Sequence, residues 1–167
     1  MQLFKLLSLL DDEVVAERSK IHLAGRDGKD DPLDLYFAGE FDEWQSWQSK
    51  RNFELQFVIS LIGLPQQDSW LFVGAYESLG CKRTKGGDYQ YQYQLERRPQ
   101  FDQFEGRIVV SFKRPGRQSY LLGERWRDEL QIEDCLNIVG HGWLAASVPL
   151  KMIISGLSPL IADNDSR

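Results

Sequence analysis

The spacing of apolar residues changes near residue 52, and it predicts helices before that point and strands after it. Four of the five leucines between residues 2 and 10, namely Leu3, Leu6, Leu7 and Leu10, recur at intervals of three and four, which places them on one face of a helix. Asp31 followed by Pro32 is typical of a capped helix start, and Gly39 is typical of its end. Further helices are predicted over residues 13–17 and 41–50, and a strand or extended arm is predicted over residues 20–24.

Beyond residue 52 the apolar positions alternate or run continuously, which predicts strands separated by turns. The short connections favour antiparallel pairing, and six such strands between helices usually close as a bent sheet or a small barrel. We therefore predict an α+β fold with a bent antiparallel sheet or small β-barrel of about six strands and flanking helices. We expect residues 1–146 to form a single α+β domain and residues 147–167 to form a C-terminal helix and polar tail. The predicted strands are residues 53–62, 70–76, 89–95, 107–113, 118–122 and 129–133.

Tyrosine and glutamine alternate over residues 89–94, so Tyr89, Tyr91 and Tyr93 share one face of a strand. These tyrosines can stack on a ligand or pack on the core. We expect at least two of the three to pack on the core, because most large aromatic side chains do so.

A turn with proline and glycine at its centre, from Arg114 to Arg117, separates two of the predicted strands. This order favours a type II reversal, in which glycine takes the positive φ. We expect the two strands to pair as a hairpin with the two arginines at the sides of its tip. The guanidiniums can bind a phosphate or carboxylate, and Gln118, Ser119 and Tyr120 add neutral hydrogen-bonding groups. A solvated, charged hairpin end is the alternative.

Trp44 and Gln45 belong to a predicted helix that is rich in aromatic and amide side chains. Such a helix can offer a platform for a base or another ring. Alternatively, its tryptophans seal the end of the sheet, which is the more usual place for large aromatic residues.

The charge of the chain is unevenly distributed. The net charge is −5, yet residues 82–127 hold eleven basic and five acidic residues, a local balance of +6 that leaves −11 for the remainder. This division is typical of a protein that binds a polyanion through one face. Internal pairing between acidic helices and a basic sheet edge is the other interpretation.

The sequence contains no motif of an enzyme or of a metal or cofactor site. Cys81 and Cys135 are isolated, His22 and His141 are far apart, and neither a nucleophile elbow nor a phosphate-binding loop is present. We therefore predict no cofactor and no metal. The lack of a catalytic motif favours a protein that is not an enzyme. The cysteine usage and the absence of a signal peptide or a membrane-spanning apolar run predict a cytoplasmic protein without a membrane partner.

Four segments together resemble the amino-terminal region of bacterial proteins that have a GIY-YIG nuclease domain further along the chain. The segments are FDEWQSWQSKRNFELQFVISLIGLP, WLFVGAYE, YQYQLE and GRIVVSFKRPGRQSYLLGERW, and the resemblance covers residues 20–135. It implies a recognition module to which a separate domain supplies cleavage. The nuclease motif residues have no counterparts here, so we expect either a separated module or a stand-alone relative, and no cleavage activity.

The basic segment and the resemblance together predict a non-catalytic nucleic-acid-recognition module of a restriction or nuclease-type system, with DNA favoured over RNA and an extruded or modified base as the target. A nuclease or another protein is a further candidate partner. The alternative is a protein-interaction or immunity-type module in which the acidic helices of residues 11–43 bind a basic partner. The predicted phosphate contacts are Lys113, Arg114, Arg117 and Arg125, with Ser119 as a neutral hydrogen-bonding group beside them. The predicted base contacts are Trp44, Gln45, Gln118 and Tyr120.

Overall fold

The first helix, α1 (Leu3–Leu10), buries the leucine face that the spacing predicts. The computed structural model describes residues 3–126 and 136–138. The predicted strand at 129–133 and the predicted helix and tail at 147–167 lie outside this range. The other helical elements are two 3-10 helices, Ala16–Arg18 and Pro99–Phe104, and the α-helices α2 (Pro32–Phe37), α3 (Phe41–Ser46) and α4 (Gly123–Trp126).

The predicted start of α2 is confirmed, because the Asp31 carboxylate accepts a hydrogen bond from the Leu33 N–H and Pro32 occupies the first turn. The predicted helix over residues 41–50 is too long. It ends at Ser46 because the next two residues are extended and pair as an edge strand with Tyr91 and Gln92.

All strands in the described part of the chain belong to one sheet. The strands are β1 (Ser19–Ala24), β2 (Trp47–Gln48), β3 (Phe57–Gly63), β4 (Ser69–Arg83), β5 (Tyr91–Arg97), β6 (Ile108–Ser111), β7 (Tyr120–Leu122) and β8 (Leu136–Ile138). Six of them follow one another in the order β2-β5-β4-β3-β1-β7 and curl into a half-barrel, which confirms the predicted α+β fold with a bent sheet. The other two lie outside this order, because β6 pairs with β4 and β8 pairs with β6.

Two strand pairings differ from the antiparallel hairpins that the short connections favour. Strand β1 runs parallel to β3, because two helices and β2 lie between them and return the chain to the same end of the sheet. The predicted hairpin of residues 107–113 with 118–122 is wrong. Strand β6 pairs with β4, whereas β7 pairs with β1 on the other side of the sheet.

The connection between β6 and β7 crosses the end of the sheet instead of closing a hairpin. The Trp70 indole N–H donates to the Phe112 carbonyl at 2.8 Å, and the Leu23 N–H donates to the Ser119 carbonyl at 2.8 Å. These bonds hold the two ends of the connection on different strands. Gly116 takes a positive φ of 58°, as the Pro-Gly pattern predicts, and the Gln118 N–H bonds to the Pro115 carbonyl at 3.3 Å.

Strand β3 is buried along its whole length, because both faces of the sheet are covered. On one face α1 and the 3-10 helix at Pro99–Phe104 pack against alternate residues of β3, among them Phe57, Ile59 and Leu61. On the other face α2 and α3 contribute Leu33 and Phe41 to a second apolar cluster. Burial of each such side chain stabilises the fold by about 1.5–3 kcal/mol. The candidate site lies on the face that α3 covers.

Candidate functional site

A row of polar side chains crosses the sheet beneath α3. His22 on β1 is the register partner of Ser60 on β3 and of Tyr120 on β7, so the three residues are neighbours on one face. His22 and Ser60 are buried. A buried polar row on a sheet otherwise filled with apolar residues needs hydrogen-bonding partners, and α3 supplies them.

Gln45 on α3 joins two members of this row. Its Oε1 accepts a hydrogen bond from the Ser60 hydroxyl at 2.7 Å and lies 3.1 Å from His22 Nδ1. Because a carbonyl oxygen only accepts, Nδ1 donates this bond, and Nε2 is then an acceptor that has no hydrogen-bond partner among the described residues. Gln45 Nε2 is a buried atom without a hydrogen-bond partner among the described residues.

Burial keeps His22 neutral at neutral pH. Removal of the ring from water lowers the pKa of His22 from 6.5 to about 4, and the hydrogen bond with Gln45 opposes this shift only in part. Aromatic rings surround the imidazole: the Tyr120 ring stacks on it at 5.2 Å between centroids, and Trp44 stacks at 6.1 Å. His22 is therefore a rigid, uncharged hydrogen-bonding group.

His22 lines a half-open cleft of about 610 Å³ between α3, β1, the start of β7 and the loop of residues 25–30. The other rings that line it are Trp44, Trp47, Tyr89 and Tyr120. The indole N–H groups point to carboxylates, since Trp44 donates to Asp30 at 3.3 Å and Trp47 donates to Glu43 at 3.2 Å. Five aromatic rings around one opening make a surface suited to a flat, ring-shaped ligand.

The structure brings three of the predicted site residues together at this cleft, namely Trp44, Ser119 and Tyr120. Gln45 is buried beneath the cleft and contacts its wall at His22, so it does not line the cleft as the predicted base contact requires. The Tyr120 hydroxyl donates to Gln48 Oε1 at 2.6 Å, which fixes its ring as a wall of the cleft. The residues that follow the Pro-Gly turn thus meet the helix that contains Trp44, although the two segments are far apart in the chain.

The predicted arginine pair at the turn is separated. Arg114 stacks on Trp70, with 5.5 Å from the guanidinium carbon to the ring centroid, and pairs with Asp27 at 3.4 Å. Its side chain is only 16% exposed. Arg117, in contrast, is exposed, so the two arginines do not form a single bidentate clamp. Lys113 and Gln118 are exposed as well, and the side chain of Arg125 lies outside the described residues.

Part of the local positive balance is used in ion pairs with acidic residues elsewhere in the chain. Arg97 binds Asp42 at 2.7 Å, and Arg98 binds Asp11 at 2.6 Å and also pairs with Glu77. Arg97, Arg98 and Arg114 therefore form ion pairs within the chain, as the interpretation of internal pairing predicts. The same pairs occupy acidic residues of the segment 11–43 that the protein-interaction alternative requires. The basic residues of the segment 82–127 that the structure describes as exposed are Lys82, Arg83, Lys85, Lys113 and Arg117.

Sequence reasoning missed His22, Trp47 and Tyr89 as members of the cleft. Tyr91 and Tyr93 pack on the core as expected, whereas Tyr89 is 60% exposed and turns into the cleft from the loop before β5. The one signal for His22 was its place between Ile21 and Leu23 in a strand, where a polar side chain opposes an apolar face.

The parts of the chain that the structure describes contain no group of three or more metal-ligating side chains. Within the same residues, no helix has both the length and the apolar character needed to cross a membrane.

Comparisons with known proteins do not identify the chain, because no family model, curated protein or solved structure matches it. The resemblance to the amino-terminal region of GIY-YIG nuclease proteins therefore stays a prediction from the sequence pattern. The cleft geometry has to support any functional assignment.

Proposed function

We propose that the protein is a non-catalytic nucleic-acid-recognition module that takes a single base into the aromatic cleft. The main support is the meeting of Trp44, Tyr120 and Tyr89 around an opening of about 610 Å³, a volume in the usual range of small-ligand sites. Aromatic side chains stack on any base and contribute about 1–3 kcal/mol per base. A base that leaves its own stack can replace lost contacts with these rings.

Exposed cations lie close in sequence to two of the segments that line the cleft. Lys113 and Arg117 precede Ser119 and Tyr120, and Lys82 and Lys85 lie in the β4–β5 hairpin whose loop contains Tyr89. In the proposal these side chains contact phosphates on either side of the bound base and set its position. From the resemblance we take DNA in a bacterial, cytoplasmic nuclease-type system as the target, with a nuclease as the candidate partner.

The experiment that tests the proposal is fluorescence anisotropy with a labelled single strand and its duplex across a salt series. We expect binding that weakens with salt. The double variant Lys113→Ala/Arg117→Ala should reduce the slope of log affinity against log salt by about 1.4 on single strands, since each phosphate contact contributes about 0.7. Lys5→Ala is the matched control, because Lys5 is an exposed cation on α1, which packs on the opposite face of the sheet.

A second pair of variants tests the aromatic cleft itself. Tyr89→Ala should weaken binding by about tenfold with an unchanged salt slope, because it removes a stacking surface and no charge. Phe37→Ala is the control, since this ring on α2 is 54% exposed and does not line the cleft. If neither the single strand nor the duplex binds at low salt, the proposed function is refuted. If Tyr89→Ala and Phe37→Ala weaken binding equally, the cleft is not the binding site.

A further inference from the structure

We propose that His22 Nε2 is the hydrogen-bond acceptor that selects bases with an N–H donor on the edge that enters the cleft. This inference rests on the proposed function and names the chemical feature that the cleft recognises. It also assigns a role to Gln45 as a positioning residue, which acts on the ligand only through His22.

The first step is the orientation of the imidazole. Gln45 Oε1 accepts from the Ser60 hydroxyl at 2.7 Å and is within 3.1 Å of His22 Nδ1, so the proton of the neutral ring is held on Nδ1. Tyr120 stacks on the ring with 9° between the planes, and Phe53 meets it edge-on at 5.5 Å. The side chain is 3% exposed and has no room to turn its acceptor away.

The second step is that Nε2 has no hydrogen-bond partner in the part of the chain that the structure describes. Within residues 3–126 the recorded hydrogen bond of the imidazole is the one at Nδ1, while His22 is part of the cleft wall. Water can satisfy Nε2 while the cleft is open. A base that enters expels this water, so the base must donate a hydrogen bond in its place or leave the acceptor unpaired.

The cost of an unpaired acceptor sets the expected selectivity. A site built around a buried hydrogen-bonding group rejects a ligand that lacks the partner, whereas a purely apolar stacking site does not. We expect about tenfold tighter binding of a base with the donor than of the same base without it. The charged groups of the rim, Asp27, Lys29 and Asp30, lie on the loop of residues 25–30.

The test uses short labelled strands in which every position but the central one is an abasic spacer. The central base is adenine in one strand and purine, which lacks the exocyclic amino group, in the other; an all-abasic strand measures phosphate binding alone. The variant His22→Phe keeps an aromatic ring at this position and removes the acceptor. Phe37→Ala is the control, because this exposed ring on α2 does not line the cleft.

The expected result is that the wild-type protein and Phe37→Ala bind the adenine strand about tenfold tighter than the purine strand, while His22→Phe binds both alike. Equal binding of the two strands by the wild-type protein, tighter than that of the all-abasic strand, would overturn the role of His22 and leave base recognition intact. Equal binding of all three strands would overturn base recognition itself, and this inference with it.

A measurement on the wild-type protein keeps the inference testable if His22→Phe does not fold. The ¹⁵N NMR signals of the imidazole distinguish a proton on Nδ1 from one on Nε2. We expect the Nδ1-protonated form in the free protein and a shift of the Nε2 signal with the adenine strand but not with the purine strand. A proton on Nε2 in the free protein would contradict the inference directly.

Discussion

The buried imidazole of His22 makes the stability of the protein depend on pH in a defined window. Burial lowers its pKa from 6.5 to about 4, so the unfolded chain binds a proton at this residue at a higher pH than the folded chain does. The stabilisation is therefore fully present above pH 6.5 and is lost progressively as the pH falls towards 4.

The size of the effect follows from the difference of the two pKa values. Each pKa unit corresponds to 1.36 kcal/mol, so the full contribution is about 3 kcal/mol, of which about 2 kcal/mol disappears between pH 7 and pH 5. This loss is a large part of the total stability of an ordinary domain.

The assay is urea unfolding followed by tryptophan fluorescence at several pH values between 7 and 5, for the wild type and for His22→Phe. Carboxylates also titrate near this range, and the pKa values of Asp11 and Glu54 are lowered while that of Glu105 is raised. The difference between the two proteins cancels these contributions. We expect it to shrink by about 2 kcal/mol from pH 7 to pH 5.

The reasoning would be refuted by an unfolding free energy that depends on pH in the same way in the wild type and in His22→Phe. NMR gives an independent check, because the chain has two histidines and both can be followed in one titration. A His22 signal that titrates near 6.5 would show that the ring is solvated and that the polar row beneath α3 is open to water.

Three further changes test the packing around the sheet by urea unfolding. Arg98→Met removes a side chain that pairs with both Asp11 and Glu77. We expect the free energy of unfolding to fall by about 2 kcal/mol, because the Asp11 carboxylate is nearly buried. Arg51→Met breaks an exposed ion pair and should change the free energy of unfolding little. Phe72→Ala should cost about 3–5 kcal/mol, since the ring is fully buried in the core. Tyr120→Phe should cost about 1 kcal/mol by loss of the hydrogen bond to the Gln48 side chain, with stacking on a bound base unchanged; a larger loss of affinity would show that the hydroxyl itself contacts the ligand.

The local features of the fold were predictable from the sequence because each depends on a few adjacent residues. The leucine spacing of α1, the Asp31-Pro32 start of α2 and the positive φ of Gly116 agree with the structure. The existence of most strands in the described chain, and their closure into a bent sheet, also follow from the apolar pattern, because alternation and burial are local properties of the sequence.

Which strands pair was decided by the tertiary structure. The turn between β6 and β7 has the residues of a hairpin, yet its strands pair with β4 and β1, since those edges bury Val110 and Leu121 more fully than a two-stranded hairpin could. The partners of the ion pairs could not be predicted from the sequence either. Arg98 and Asp11 are 87 positions apart and meet only because α1 packs beside the chain that follows β5.

The candidate site shows the same division. The aromatic and polar residue types of Trp44, Ser119 and Tyr120 follow from the sequence, as does the presence of a basic segment. The cleft that unites them, the burial of Gln45 and the place of His22 at its wall follow only from the curled sheet, because parallel pairing of β1 with β3 sets His22 opposite Ser60 and under α3. Sequence spacing determines local conformation, but contacts between distant segments depend on register and curvature, which are set by the packing of the whole core.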